Sequence, residues 1–138
     1  MQTGAVWIVD DDSDDKDLLT EVFKELQLPN DLVFFNNAAQ LLKCLGEVNE
    51  APFIILCDVN LPGTDGFELR EMMISSPDKN FQSVPFIFWS THATETQIEK
   101  AFRLRAHGFF IKEIKYDEWK STFVNIIQYW QKSRIPSK

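Results

Sequence analysis

Five short apolar runs alternate strictly with five stretches of helical periodicity, and this alternation restricts the fold more than any other feature of the chain. The runs lie at 5–9, 32–35, 53–57, 86–89 and 109–111. Each reads as a strand, and the runs at 5–9 and 53–57 suit buried ones, the first covered on both faces. Between them, residues 14–28 carry Leu18, Leu19, Val22, Phe23 and Leu26 at helical spacing, with Pro29-Asn30-Asp31 as a break. Asn37 suits the cap of a short helix bearing Ala38, Leu41, Leu42 and Leu45. Residues 66–75 carry Phe67, Leu69, Met72 and Met73, and 94–106 carry Ile98, Ala101, Phe102 and Arg105 on one side. A last helix, 116–131, bears Trp119, Phe123, Ile126, Ile127 and Trp130. Parallel strands need crossover connections, so the pattern implies an α/β fold: a parallel sheet with helices on both faces. Right-handed crossovers narrow the topology further. In such sheets chemistry gathers beyond the carboxyl ends of the strands.

The strand ends carry a distinctive set. Asp10-Asp11-Asp12 follows the first run, Asp58 the third, Ser90-Thr91 the fourth and Lys112 the fifth. The sheet would bring these distant positions to one edge. Crowded carboxylates repel and call for a cation or a proton. Hard oxygen ligands at this density suit Mg²⁺, which takes a few carboxylates and keeps several waters. A carboxylate beside Mg²⁺ and a lysine can attack a phosphoryl group, because both cations offset charge on its oxygens. A hydroxyl can then hydrogen-bond the attached group. Singly these signals are weak: Asp12 or Ser13 caps the first helix on this reading, and Ser90 or Lys112 alone fits a turn or a solvated surface. Their coincidence on four strand ends carries the argument.

Composition sets the outer bounds. The chain has 138 residues, 44% of them apolar, which suits one domain, expected over 4–132 with a short tail at 133–138. A net charge of −7 argues against nucleic acid as a partner. The N-terminus lacks the features of a signal peptide, and no apolar run approaches the roughly 20 residues that span a bilayer, so the expectation is a cytoplasmic protein without a membrane partner. Cys44 and Cys57 lie in apolar stretches and read as reduced core residues. His107 reads as a surface residue near a helix end.

The segments VWIVDDD at 6–12, DVNLPGTDGFEL at 58–69, PFIFWS at 85–90 and GFFIK at 108–112 resemble the receiver domain of response regulators, including its single-domain chemotaxis type. The likeness covers nearly the whole chain and is most specific around Asp58. It implies a flavodoxin-like doubly wound sheet of five strands in the order 2-1-3-4-5. It also implies that Asp58 accepts phosphate from a histidine kinase or phosphotransfer protein in a two-component or phosphorelay system. Mg²⁺ (or Mn²⁺) would be held by Asp11 directly, by Asp10 mainly through water, by Asp58 and by the backbone carbonyl of Asn60. Ser90, Lys112 and Phe109 would bind the phosphoryl group or switch with it. The fourth helix, fifth strand and fifth helix would present the result to a downstream protein. Self-catalysed phosphotransfer and slow autodephosphorylation follow from the same likeness.

Two departures bear on the site. Glu113 follows Lys112 where the family usually has proline, commonly cis. A cis bond before a non-proline costs about 2.5–4 kcal/mol, so a trans bond and an altered loop are expected. Thr91-His92 follows Ser90, where a small residue is usual. His92 and Asn60 fall at positions that border the phosphate and are candidates for setting its lifetime. For His92 an exposed helix-start histidine is an equal alternative.

Rival readings fare less well. Counted from Asp58, a calcium loop would have Pro62 and Leu69 at ligand positions, and counted from Asp10 it would lack its glycine. Phosphatases that use an aspartyl nucleophile resemble one another in placing a second Asp two residues on; here that residue is Asn60. A phosphorylation-independent interaction module is disfavoured by the complete acidic set with Ser90 and Lys112. No output domain is expected after the fifth helix, so the signal would pass to another protein. Some of the aromatics at 119–130 are candidates for a homodimer face, and the oligomeric state stays open.

Overall fold

The structure, a computed structural model, describes residues 3–47, 50–76, 81 and 83–134. The expectations for residues 1–2 and 135–138 lie outside the described residues. Five strands and five helices alternate: β1 (Val6–Val9), α1 (Ser13–Leu26), β2 (Leu32–Phe35), α2 (Ala38–Glu47), β3 (Ile54–Cys57), α3 (Gly66–Ser75), β4 (Phe86–Ser90), α4 (Glu95–Arg103), β5 (Gly108–Ile111) and α5 (Tyr116–Lys132). All pairings are parallel, in the order β2-β1-β3-β4-β5. This is the fold expected from the sequence.

The inner strands β1, β3 and β4 are buried along their length because both faces of the sheet are covered there. The edge strands are less sheltered, and β5 leaves Phe110 and Ile111 exposed. Along β4, Phe86 and Phe88 enter one core cluster, with residues of α2, α3 and α4. Ile87 and Trp89 enter the other, with α1 and α5. Phe86, Phe88 and Phe123 are fully buried, each adding roughly 1.5–3 kcal/mol of apolar burial. Trp89 stacks on Trp119 and Phe123, at 5.5 and 5.8 Å between ring centroids, and Tyr116 stacks on Trp119 in turn. Cys57 is buried and free, and burial pushes its thiol well up; Cys44 is free and half-buried.

Side-chain caps mark the starts of α1 to α4, and α5 starts without one. The Asp12 carboxylate accepts the N–H groups of Asp14 and Asp15, so Asp12 caps α1. Asn37 accepts the Gln40 N–H as expected. Asp65 and Glu68 form a reciprocal capping box at α3, and Thr94 and Gln97 form another at α4.

Three expectations need correction. Leu18, placed on the inner face of the first helix, is 36% exposed, while Leu19, Val22 and Phe23 make the buried stripe. That helix, expected to run to residue 28, ends at Leu26, because Gln27 turns left-handed at φ 51°. The helix expected over 94–106 ends at Arg103. Arg105 takes φ 60°, and Arg70 of α3 reaches over to donate Nε–H to the Leu104 carbonyl (3.0 Å) and an Nη2 proton to the Arg105 carbonyl (2.9 Å). This guanidinium is buried and lies over the Phe86 ring. Burial, then the neighbouring Arg105, lower its pKa to about 10.

Candidate functional site

β1 and β3 run side by side in register, with Val9 opposite Cys57. The residues that follow, Asp10 and Asp58, therefore leave the sheet together. Asp58 N–H still donates to the Val9 carbonyl at 2.9 Å, which fixes the acceptor loop to the end of β1. Asp10, Asp11 and Asp58 each present a carboxylate oxygen within 4.8 Å of the other two. Asp11 is exposed, whereas Asp10 and Asp58 are mostly sheltered.

The loop after β3 is shaped around Asp58. Its Oδ1 accepts the Asn60 N–H at 3.0 Å. Pro62-Gly63 turns the chain, with Gly63 at φ 72°, a conformation glycine adopts without cost. Gly66 then packs so closely that a Cβ there would lie 2.4 Å from the Asp58 carbonyl oxygen, and its N–H donates to the Val59 carbonyl.

Lys112 arrives from β5. Its backbone N–H donates to the Ser90 carbonyl at 2.8 Å, which ties it to the end of β4. Its ammonium is buried and donates to three carboxylates: Asp10, Asp15 at 3.0 Å and Asp58 at 3.4 Å. Burial alone would lower the Lys112 pKa, but Asp10, Asp58 and Asp15 together raise it, so the group stays charged. Asp10 is lifted above the ordinary carboxylate range; burial is the largest cause, and Lys112 and the Asp12 N–H pull back. Three carboxylates around one ammonium leave a net negative pocket. Beside it the carboxylate oxygens of Asp10, Asp11 and Asp58, hard donors at this spacing, fit a small divalent cation.

Ser90 ends β4 with its side chain fully buried, and its hydroxyl lies 3.5 Å from the His92 N–H. His92 is exposed at the approach to α4. Phe109 is half-buried with its ring 6.1 Å from that of Phe88. The Lys112–Glu113 bond is trans, as expected without proline.

Two participants escaped the reading of the sequence. Asp15 looked like one more acid in a capping run, yet it reaches Lys112. His107 is exposed, as expected of a surface residue, but its ring is also anchored. Its Nδ1 accepts the Phe86 N–H at 3.0 Å and its edge meets Trp130. Burial of the ring, then the Arg70 charge, lower its pKa, in keeping with an Nδ1 lone pair already in use.

The family model described as "Response regulator receiver domain" matches residues 6–123. The chain belongs to the response regulator receiver family. Among its relatives is the DNA-binding transcriptional regulator NtrC of Escherichia coli K12, 26% identical over 136 residues, or 99% of this chain. The receiver spans only 27% of the length of that relative. Response regulator Rcp1 of Synechocystis is 24% identical over 131 residues, covering 91% of this chain and 88% of Rcp1. A structure of Mn(2+)-bound Rcp1 superposes with a TM-score of 0.87 at 21% identity, over 97% of this receiver and 99% of that chain. The phosphorylated cyanobacterial phytochrome response regulator RcpA gives 0.89 at 22% identity, over 99% and 100% of the two chains. Among the described residues of this receiver no helix is long and apolar enough to cross a membrane.

Proposed function

We propose that this receiver is a phosphorylation switch in which Asp58 takes a phosphoryl group from a phosphohistidine of a histidine kinase or phosphotransfer protein. The observation that supports it most is the Lys112 ammonium shared by Asp10 and Asp58 beside a three-carboxylate cluster. In the transfer, an Asp58 oxygen forms the new P–O bond while the P–N bond breaks and the imidazole keeps the electron pair. Asp10, Asp11, Asp58 and the Asn60 carbonyl would hold Mg²⁺ or Mn²⁺, which when bound supplies charge stabilisation to the phosphoryl oxygens. Lys112, already in contact with Asp58, would add a second positive charge to those oxygens. Ser90 offers its hydroxyl to the attached group, and Phe109 follows that movement. The result is a shift between two states of the α4–β5–α5 surface, read by a downstream protein. Asn60 and His92, at the rim, set how quickly water removes the group. A cytoplasmic location accords with a phosphohistidine donor.

The test is incubation of the chain with acetyl phosphate, or with beryllofluoride, plus Mg²⁺. With acetyl phosphate wild type should gain one phosphoryl mass per chain, with beryllofluoride it should bind one equivalent, both dependent on Mg²⁺, and Asp58→Asn should do neither. An unresponsive wild type would point to a phosphorylation-independent module. Continuous phosphate release over many turnovers of a small phosphoester would point to a phosphatase.

A further inference from the structure

We propose that Asp15 is a positioning residue: it holds the Lys112 ammonium in place while Asp10 and Asp58 turn to other partners. The proposal rests on the reading of Asp58 as phosphoryl acceptor. An ammonium has three N–H groups, and here they face three carboxylates, those of Asp10, Asp15 and Asp58. Two of the three, Asp10 and Asp58, also belong to the trio of carboxylates that could gather round a metal ion; Asp15 does not. Asp10 and Asp58 would share their oxygens with a cation held there, and phosphoryl transfer would use an Asp58 oxygen outright. Asp15 is then the acceptor that stays.

Its placement suits that task. Asp15 stands in the first turn of α1, its N–H faces the Asp12 carboxylate, and its side chain is 19% exposed. A carboxylate is favourable at that helix end irrespective of Lys112. Lys112, in contrast, carries its charge on a flexible four-carbon stem. A fixed acceptor 3.0 Å away restricts that stem before the phosphoryl group arrives. The negative charge of Asp15 acts in the other direction, since it offsets part of the pull Lys112 exerts on phosphoryl oxygens. The two effects have opposite signs, and substitution separates them.

The experiment measures the rate of phosphorylation by acetyl phosphate, with half-saturation in acetyl phosphate and in Mg²⁺ determined separately. Asp15→Ala should lower the limiting rate about tenfold, as expected for loss of positioning. Asp15→Asn keeps an oxygen acceptor and should stay within about threefold of wild type. Half-saturating Mg²⁺ should move less than about twofold in both, because neither change touches the metal-gathering trio. In a Lys112→Ala background Asp15→Ala should add nothing, since its effect passes through the lysine. Asp15→Ser, well suited to a first helical turn and too short to reach Nζ, should match alanine and serves if alanine folds poorly. A wild-type or faster limiting rate in the alanine and serine variants overturns the proposal. So does a large shift in Mg²⁺ half-saturation at unchanged limiting rate, or losses that add to those of Lys112→Ala. Failure of the underlying reading looks different: wild type itself would gain no phosphoryl group, or Asp58→Asn would gain one.

Discussion

Lys112→Met exchanges the ammonium for a neutral side chain of similar length and leaves Asp10, Asp15 and Asp58 facing one another. At an effective dielectric of about 20, the contacts at 3.0 and 3.4 Å are each worth roughly 5 kcal/mol of gross attraction. Desolvation of the ammonium cancels much of that sum. Removing one partner of a buried pair costs about 3–5 kcal/mol net. Water reaches Asp15, whose side chain is 19% exposed, so the lower end, about 3 kcal/mol, is expected at pH 7 without Mg²⁺. For a chain of this size that is a fall in Tm of roughly 10 °C. The dependence on pH is the sharper check. The raised Lys112 pKa gives stability that is fully present below the ordinary lysine value, about 10.4, and is lost only above it. Between pH 7 and pH 4 that contribution is therefore constant, and any closing of the gap between variant and wild type on the acid side must come from the carboxylates. Asp10 already sits above the ordinary carboxylate range, and without Lys112 it climbs further, so the variant takes up protons first as pH falls toward about 4. Excess Mg²⁺ should also narrow the gap, by supplying the missing charge. Thermal melts by circular dichroism, in chelator and in Mg²⁺ from pH 7 to pH 4, test this. Equal Tm values at pH 7 in chelator, or a gap of constant size across that range, would refute the reasoning.

Gly66→Ala should destabilise the protein by about 2 kcal/mol or more, because its Cβ meets backbone rather than a movable side chain; urea denaturation would report it. Arg70→Lys should cost about 1–2 kcal/mol in the same assay, since an ammonium cannot serve the Leu104 and Arg105 carbonyls with the fixed fork of a guanidinium. Phosphorylation by acetyl phosphate should persist in that variant. His92→Ala should change the decay rate of the Asp58 phosphoryl group at least about twofold, with the rate of its formation little altered; identical decay in both proteins would return His92 to a plain exposed residue beside Ser90.

How far the residues announced this architecture depends on the range of the forces involved. The bounds of α3 agree with the reading of 66–75 from its apolar residues, and the Asp65–Glu68 capping box that fixes its start acts within one turn. The inner strands were readable because burial on both faces leaves no room for polar residues. The end of α4 was not, because the chain turns at Arg105 where its carbonyls are taken by Arg70, 34 residues away in sequence from Leu104. Leu18 was misplaced by one helical position, an error that periodicity alone allows. In the site, Asp10, Asp58, Ser90 and Lys112 were legible as strand ends, since parallel topology collects such ends at one edge. Asp15 was not, because an acid in a first helical turn has a sufficient local reason to be there. Only the 97-residue separation between Asp15 and Lys112, closed by the fold, shows its other partner.

The aromatic stack behind β4 has a spectroscopic consequence. Trp89 immediately precedes Ser90, and its indole lies parallel to Phe123 and nearly parallel to Trp119. Any displacement of Ser90 along the strand direction passes through a single peptide unit to that ring. Two indoles at 5.5 Å exchange excitation efficiently, so their emission and near-ultraviolet dichroism depend steeply on mutual angle. The chain thus carries an optical gauge one residue from its buried hydroxyl, and changes at the carboxyl edge of the sheet can be followed without attaching a dye.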